Sequence, residues 1–362
     1  MNKLKETIIL ALLFVMSTSS YAQLSQEKWS EIITKKEPAW FATREAYDVA
    51  ENVLLYQRNI GGWPKNIEMH APLTNQDKQK LIELKSDTKE ITTDNKATTQ
   101  EMLFLSKMYA QTNDERYSKS FLAGLDYLLE AQYENGGWPQ FYPLKKGYYT
   151  HITYNDDSMV NTLNVLKNCI ENTNVYSIKP PQATLDKAKI AFDKGIDCIL
   201  KTQYKQGETL TGWCQQHDEV TLLPAKARAY ELPSLSGKES AKIVLLLMSI
   251  KEPTPEIINA VNSAYNWFEK TKINSLKEIR IIGEDGKISD KVMIDDPANG
   301  MPIWARFMDL ETSKPFFCDR DGIKKDKLSD IGQERRAGYS WYSNQPKEVL
   351  KKYSKWSRKY NK

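Results

Sequence analysis

Three short blocks decide how this chain folds: Gly61-Gly62-Trp63-Pro64-Lys65, Gly136-Gly137-Trp138-Pro139-Gln140 and Thr211-Gly212-Trp213-Cys214-Gln215. Their tryptophans are 75 residues apart, twice in succession. Self-similarity at a fixed long period marks a repeat architecture, in which each unit buries its apolar face against the next. Before each block runs an apolar segment of helical period that ends at a glutamine: Ala46 to Gln57, Phe121 to Gln132, and Ile190 to Gln203. After each comes a polar entry and a second helical segment: Lys96 to Ala110, Ser158 to Ile170, and Glu239 to Ile250. Each block is therefore a Gly-broken loop between two helices. Three such pairs predict a mainly all-α chain, an α/α toroid of three helix-pair repeats with long irregular loops. Thr93-Asp94, Asp156-Asp157 and Ser236 are the expected helix caps. Ala260 to Phe268 and Pro302 to Leu310 add a helix or extend the loops, and Lys277 to Met293 is expected as a small β-hairpin. Asp77 to Glu90 reads as a charged insertion, and residues 347–362 as a solvated Lys-rich tail. The tryptophans themselves have two readings of equal weight, a lock between helices or the wall of a groove.

The chain has 362 residues, with 51 Lys plus Arg against 47 Asp plus Glu. That near balance excludes, on bulk charge, a nucleic-acid-coating protein and an acidic disordered tail. With 40% hydrophobic residues the chain is able to bury a sizeable core, and one domain over residues 23–362 is the economical division. Lys3 and Lys5, the apolar run Ile8 to Met16, and Ser20-Tyr21-Ala22 together describe a signal peptide, residues 1–22, cleaved after Ala22. The mature protein is then exported, to the periplasm or the exterior, as a monomer with no membrane segment. Cys169, Cys198, Cys214 and Cys318 have no C-x-x-C spacing and the three histidines are scattered, which argues against zinc. Cys169 and Cys198 read as buried small hydrophobes. An oxidising compartment permits a disulfide, but no pairing is legible.

Three stretches gather polar residues at the start of the second helix of a pair: Thr92-Thr93-Asp94-Asn95-Lys96, Tyr154-Asn155-Asp156-Asp157-Ser158, and Lys226-Ala227-Arg228-Ala229-Tyr230-Glu231. Equivalent loops of a helical toroid gather at one end, which would let Asp94 and Asp156 meet. Carboxylates with an amide oxygen suit a hard cation, and calcium is the usual extracellular one. Arg306 and Arg320 stand in loops rich in Trp304, Phe316 and Phe317, and guanidinium forks beside aromatics suit the carboxylates of an acidic sugar chain. Nine Trp and 19 Tyr, many beside Gly and Pro, fit sugar-stacking surfaces.

The blocks GGWPKN, TTDNKATTQEM, AQYENGGWPQFYP, ITYNDDSMVN, GWCQQHDEVTLLPAKARAYELPSLSGKES, PIWARF and CDRDGI resemble those of the pectate lyases of polysaccharide lyase family 10. The resemblance runs in order over roughly residues 40–345. It implies an α/α toroid that cleaves polygalacturonate by calcium-dependent β-elimination, leaving 4,5-unsaturated oligogalacturonates, with an arginine as base. By block position Arg228 is that base, Asp94, Asn95 and Asp156 are the Ca2+-site residues, and Lys65, Lys226, Arg306 and Arg320 are substrate contacts, with Asp157 able to share or swap the role of Asp156. Two other readings compete. One is a glycoside hydrolase on the same toroid, with Asp156 and Glu231 as acid and base. The other is a non-catalytic protein that binds uronan in the same groove.

Overall fold

A computed structural model describes residue 24 and residues 26–360. The expected signal peptide lies outside the described residues. The chain divides into two compact units, one running to Glu130 and taking in Val165–Ala188, the other comprising Ala131–Asn164 and Lys189–Lys362.

The first unit is built from α1 (Trp29–Lys35), α2 (Arg44–Tyr56), α3 (Asn75–Glu83), α4 (Thr99–Thr112) and α5 (Glu115–Glu130). Thr43 starts α2 by accepting the Ala46 N–H, and Thr74 with Asp77 forms a reciprocal capping box on α3, so the charged insertion is helical. Helices α2, α4 and α5 turn Val49, Val53, Met102, Leu105, Phe121 and Leu125 into one apolar core.

Helices α6 (Ser158–Ile170) and α7 (Gln182–Thr202) complete the expected repeats, followed by α8 (Gly237–Met248) and α9 (Pro255–Thr271) in the second unit. The expected hairpin is present as β1 (Leu276–Ile282) and β2 (Ile288–Asp295), paired antiparallel with a register shift at Ile281/Ile282. Two helices close the chain, α10 (Gln333–Gly338) and α11 (Pro346–Tyr360). The last of these corrects the expectation of a solvated tail. Val349 and Trp356 are buried, and Tyr353 stacks on Tyr265 of α9 with centroids 3.6 Å apart. The apolar residues recur at helical spacing, but the lysines between them hide the stripe in composition.

The Trp blocks have one physical explanation. Trp63 and Trp213 are fully buried, and their indole N–H groups donate to the carbonyls of Val53 and Ile199 near the end of the preceding helix, both at 2.8 Å. Each preceding glutamine ties its own loop to the equivalent helix of the following repeat: α5, α7 and α9 in turn. Gln57 bonds Gly61 O and Ser120 O, Gln132 bonds Gly136 O and Ala191 O, and Gln203 bonds Thr211 O and Ala260 O. The helix approaches the loop so closely that a Cβ on Gly61 (φ 102°) would lie 2.1 Å from Ala123 O. At Gly136 (φ 90°) it would lie 2.0 Å from Lys194 O. The tryptophans are thus locks and not groove wall. A further Trp repeats the pattern without the sequence signature: Trp304 donates to Phe268 O of α9 at 2.8 Å. The hairpin inserted between α9 and Trp304 breaks the spacing and conceals this turn from the repeat.

Candidate functional site

Two positions after each tryptophan stand Lys65, Gln140, Gln215 and Arg306. The carbonyl of each repeat tryptophan accepts one backbone N–H from the polar stretch that follows: Thr92 at 3.3 Å on Trp63, Thr153 at 3.0 Å on Trp138, and Ser236 at 2.9 Å on Trp213. These pairings define equivalence. Two residues on stand Asp94, Asn155 and Lys238, and three residues on stand Asn95, Asp156 and Glu239. The third expected cluster, Lys226 to Glu231, is therefore not the counterpart of the other two. Its place is taken by Ser236 to Glu239, and Arg228 sits on a longer excursion before it.

The first two turns share a conformation. Asn95 and Lys96 have φ of 51° and 68°, and Asp156 and Asp157 have φ of 50° and 63°. Left-handed backbone at a non-glycine residue costs on the order of 1 kcal/mol each and clusters at functional sites. Capping does not account for the carboxylates. α4 begins only at Thr99, five residues past Asp94, and Asp156 accepts from the side chains of Asn155 and Lys238. Ser236 does stand at the start of α8, but its hydroxyl goes to the Glu239 carboxylate instead of a backbone N–H.

In the first unit Asp94, buried, forms an ion pair with Lys65, and Asn95 Nδ2 donates to Asn66 Oδ1 at 2.9 Å. In the second unit Asp156 pairs with Lys238 Nζ at 2.8 Å and lies 3.7 Å from Arg306 Nη2, which donates to Asn155 Oδ1 at 2.9 Å. Burial would raise the Asp156 carboxyl, but Lys238, Arg306 and Asn155 outweigh it and hold the group below the usual carboxylate range. Asp157 goes the other way: burial and then the neighbouring Glu239 push it up to about 6. Its Oδ1 is buried without a hydrogen-bond partner, as is Glu239 Oε1. Glu239, within 3.4 Å of Lys238 and 3.8 Å of Arg306, holds both cations beside Asp156. Hard oxygen donors, one ionised and one orphaned, fit a divalent cation such as calcium. Asp156, Lys238 and Arg306 open on a cleft of about 450 Å³ that Arg280 and Tyr342 also line.

Arg228 stands in the same unit on a tight turn, with Glu231 N donating to Arg228 O at 2.8 Å. Its guanidinium is bidentate on Glu231, Nε at 2.8 Å and Nη2 at 2.5 Å, and lies over the Tyr230 ring at 5.0 Å. That hydrogen bonding drives Arg228 well above the ordinary arginine value, and Arg228 in turn holds Glu231 low against the effect of burial. Tyr339 OH donates to Glu231 at 3.3 Å, and the Tyr339 ring carries Arg306 at 4.5 Å. Asp156, Arg306, Tyr339, Glu231 and Arg228 thus form one connected polar chain. Arg320 is exposed, bidentate on Glu334 at 3.0 and 2.8 Å, and over Tyr230 at 5.4 Å. Lys226 is exposed beside Arg228.

The reading of residue types missed Lys238, Glu239 and Tyr339. The offset from tryptophan to site residue differs in every repeat, so only the backbone pairing to the Trp carbonyl reveals the correspondence. His151, Asp218 and Glu219 form another group with metal-ligand atoms within 4.8 Å of one another. Asp218 Oδ1 there already accepts from Val220 N, Thr221 N and Thr221 Oγ1.

The Asp156 turn is braced by a short antiparallel ladder, Ile152 opposite His217 and Thr153 opposite Gln216. His217 is fully buried, with Nδ1 2.9 Å from Leu222 O and Nε2 accepting from Cys214 N at 3.2 Å, so it is neutral. Burial lowers it from 6.5 to about 4. The unfolded chain takes up this proton more readily than the folded one. The contribution of His217 is therefore complete above pH 6.5 and is lost as pH falls toward 4, about 3 kcal/mol in all. Urea unfolding at pH 7 and pH 4 should show this loss in the native chain and most of it absent in His217→Gln; equal losses in both would refute it.

The pectic acid lyase family model matches residues 57–350. No curated protein matches. A solved family 10 polysaccharide lyase from Cellvibrio cellulosa is 33% identical, covering 90% of this chain and 94% of its own, with a TM-score of 0.73. A mutant of a family 10 lyase from the same organism, in complex with trigalacturonic acid, is also 33% identical, covering 90% and 95%, with a TM-score of 0.75. The helix-pair repeats are those of that α/α-toroid class. With the family model spanning most of the chain and the likeness extending through both units, the chain belongs to the pectic acid lyases of polysaccharide lyase family 10.

Proposed function

We propose that this lyase cleaves de-esterified polygalacturonate by calcium-dependent β-elimination, with Arg228 as base. The observation that carries the reading is the polar chain linking Asp156 to Arg228 through Arg306, Tyr339 and Glu231. Residues 23–362 act as one exported, monomeric lyase domain; among the described residues no helix is long and apolar enough to cross a membrane.

Asp156, and Asp94 with Asn95, are the residues proposed to hold calcium. When bound, calcium supplies neutralising charge to the uronate carboxylate and so acidifies the adjacent C5 proton. Lys65, Lys226, Arg306 and Arg320 bind and orient the carboxylates of the chain. Arg228, in its neutral form, takes the C5 proton. The electron pair forms the C4–C5 double bond, the C4–O bond breaks, and the departing oxygen is protonated by water. The result is a 4,5-unsaturated uronate at the new non-reducing end.

The hydrolase alternative needs one carboxyl kept protonated. Asp156 and Glu231 are both held low by ion pairs, which suits neither for that role. Ultraviolet absorbance on polygalacturonate tests the reading. It should rise with added calcium, fall by at least about a hundredfold in rate with chelator, and fail on fully methyl-esterified pectin. New reducing ends without absorbance would establish hydrolysis instead, and saturable binding without cleavage would establish a binding protein.

A further inference from the structure

The ion pair on Arg228 poses a chemical difficulty for a base, because Glu231 stabilises the protonated form that is unable to accept a proton. A second guanidinium lies close by in the opposite condition. Arg335, on α10, is 5% exposed, and its Nε and Nη2 have no hydrogen-bond partner among the described residues. Three aromatic rings present their faces to it, Tyr230 at 4.3 Å, Tyr339 at 4.5 Å and Trp341 at 5.1 Å. Two buried donor nitrogens left unused on a charged group are costly, and an acceptor that reached them would be strongly held.

The acceptor is at hand. Tyr339, whose ring faces Arg335, donates its hydroxyl to Glu231, and Tyr230 carries Arg228 as well as Arg335. Glu231 is thus shared out between two guanidiniums, bonded to one and linked through a tyrosine to the other. Resting on the assignment of Arg228 as base, we propose that Arg335 is a positioning residue that draws Glu231 away from Arg228 and so releases Arg228 for proton abstraction.

The shift needs no covalent change. Glu231 exchanges its bidentate bond to Arg228 for one to the Nε and Nη2 of Arg335. Arg228 loses its counter-charge while Arg335 stays close by, and the loss of the counter-charge favours release of its proton to solvent. The groups facing Arg228 are Glu231, Tyr230, Tyr339, Tyr148 and Arg335, with Arg320 on the same Tyr230 ring. Burial drives Arg335 below the ordinary arginine value and the tyrosines and Glu231 pull it back, which agrees with a cation short of a partner.

The test is the pH dependence of kcat on polygalacturonate with saturating calcium, for the native chain and for Arg335→Gln, Arg335→Lys, Glu231→Gln and the Arg335→Gln/Glu231→Gln pair. Arg335→Gln should lower kcat about ten- to a hundredfold with KM little changed, and move the rising limb of the profile up by about one pH unit. Arg335→Lys, which keeps the charge without the planar fork, should fall between. Glu231→Gln should move the limb down, and adding it to Arg335→Gln should recover most of kcat. An unmoved limb in Arg335→Gln or Glu231→Gln, or no recovery in the pair, overturns the proposal while leaving Arg228 as base; should Arg335→Gln fail to fold by circular dichroism, Glu231→Gln and Arg335→Lys decide alone. A native rate in Arg228→Ala overturns the base assignment and this proposal together.

Discussion

Arg228→Ala should reduce kcat on polygalacturonate by about 10²–10⁴-fold with little change in KM, because a positioned general base contributes on that order. Arg228 is partly exposed on a tight turn, in the unit that also holds Asp156 and the cations Lys238 and Arg306. Removing its side chain also leaves Glu231, a buried carboxylate, without its bidentate partner and with the Tyr339 hydroxyl at 3.3 Å. Burial would then push the Glu231 carboxyl up, and the fold should lose about 1–2 kcal/mol, a figure reduced because the Arg228 end of the pair is in contact with solvent. Rate and stability are thus expected to separate. Rates read by ultraviolet absorbance should collapse while urea unfolding moves modestly. A variant that keeps its rate within tenfold of native would remove Arg228 from the chemistry.

Trp213→Ala should cost about 3–5 kcal/mol, the range for emptying a buried aromatic site. The indole fills the space between α7 and the following loop and donates to Ile199 O, while the Trp213 backbone carbonyl accepts the Ser236 N–H. Its backbone N–H is bonded to Ser240 Oγ at 2.8 Å. Trp213→Phe keeps much of the volume but removes the indole bond to the Ile199 carbonyl, which keeps Thr202 Oγ1 as a donor at 3.2 Å, and should cost about 0.5–1.5 kcal/mol. Because Ser236 leads directly into Lys238 and Glu239, the alanine variant should also lose rate before it unfolds globally. Urea midpoints that are equal for Trp→Ala and Trp→Phe would show that the ring is not the lock described here.

The helix pairs are legible in the sequence itself. The tryptophan period located the helix pairs because a glycine at a close approach, a buried indole and a bridging glutamine are each required by chemistry that local sequence displays. The same period failed at α9 and Trp304, where a hairpin of 20 residues from Leu276 to Asp295 intervenes. It also misplaced the third polar cluster, since charge content pointed to Lys226–Glu231 whereas the Trp213 carbonyl selects Ser236. The C-terminal helix was concealed by its lysines.

Arg228, Asp94, Asn95, Asp156, Lys65 and Arg306 were legible as candidates because each is an unusual residue type at a loop where the helical pattern stops. Their partners were not. Glu239 reads as one more glutamate in the first turn of a helix, and Arg335 as one more basic residue near the end, until burial removes their solvent. Lys238 is an ordinary lysine until Asp156 lies 2.8 Å away. The residue types and the helix periodicity, which are local properties, were determined by the sequence alone. Which carboxylate each cation neutralises, and which buried donors are left without an acceptor, was decided only by tertiary structure, because pairing and desolvation depend on chain segments up to about 150 residues apart, as Arg306 and Asn155 are.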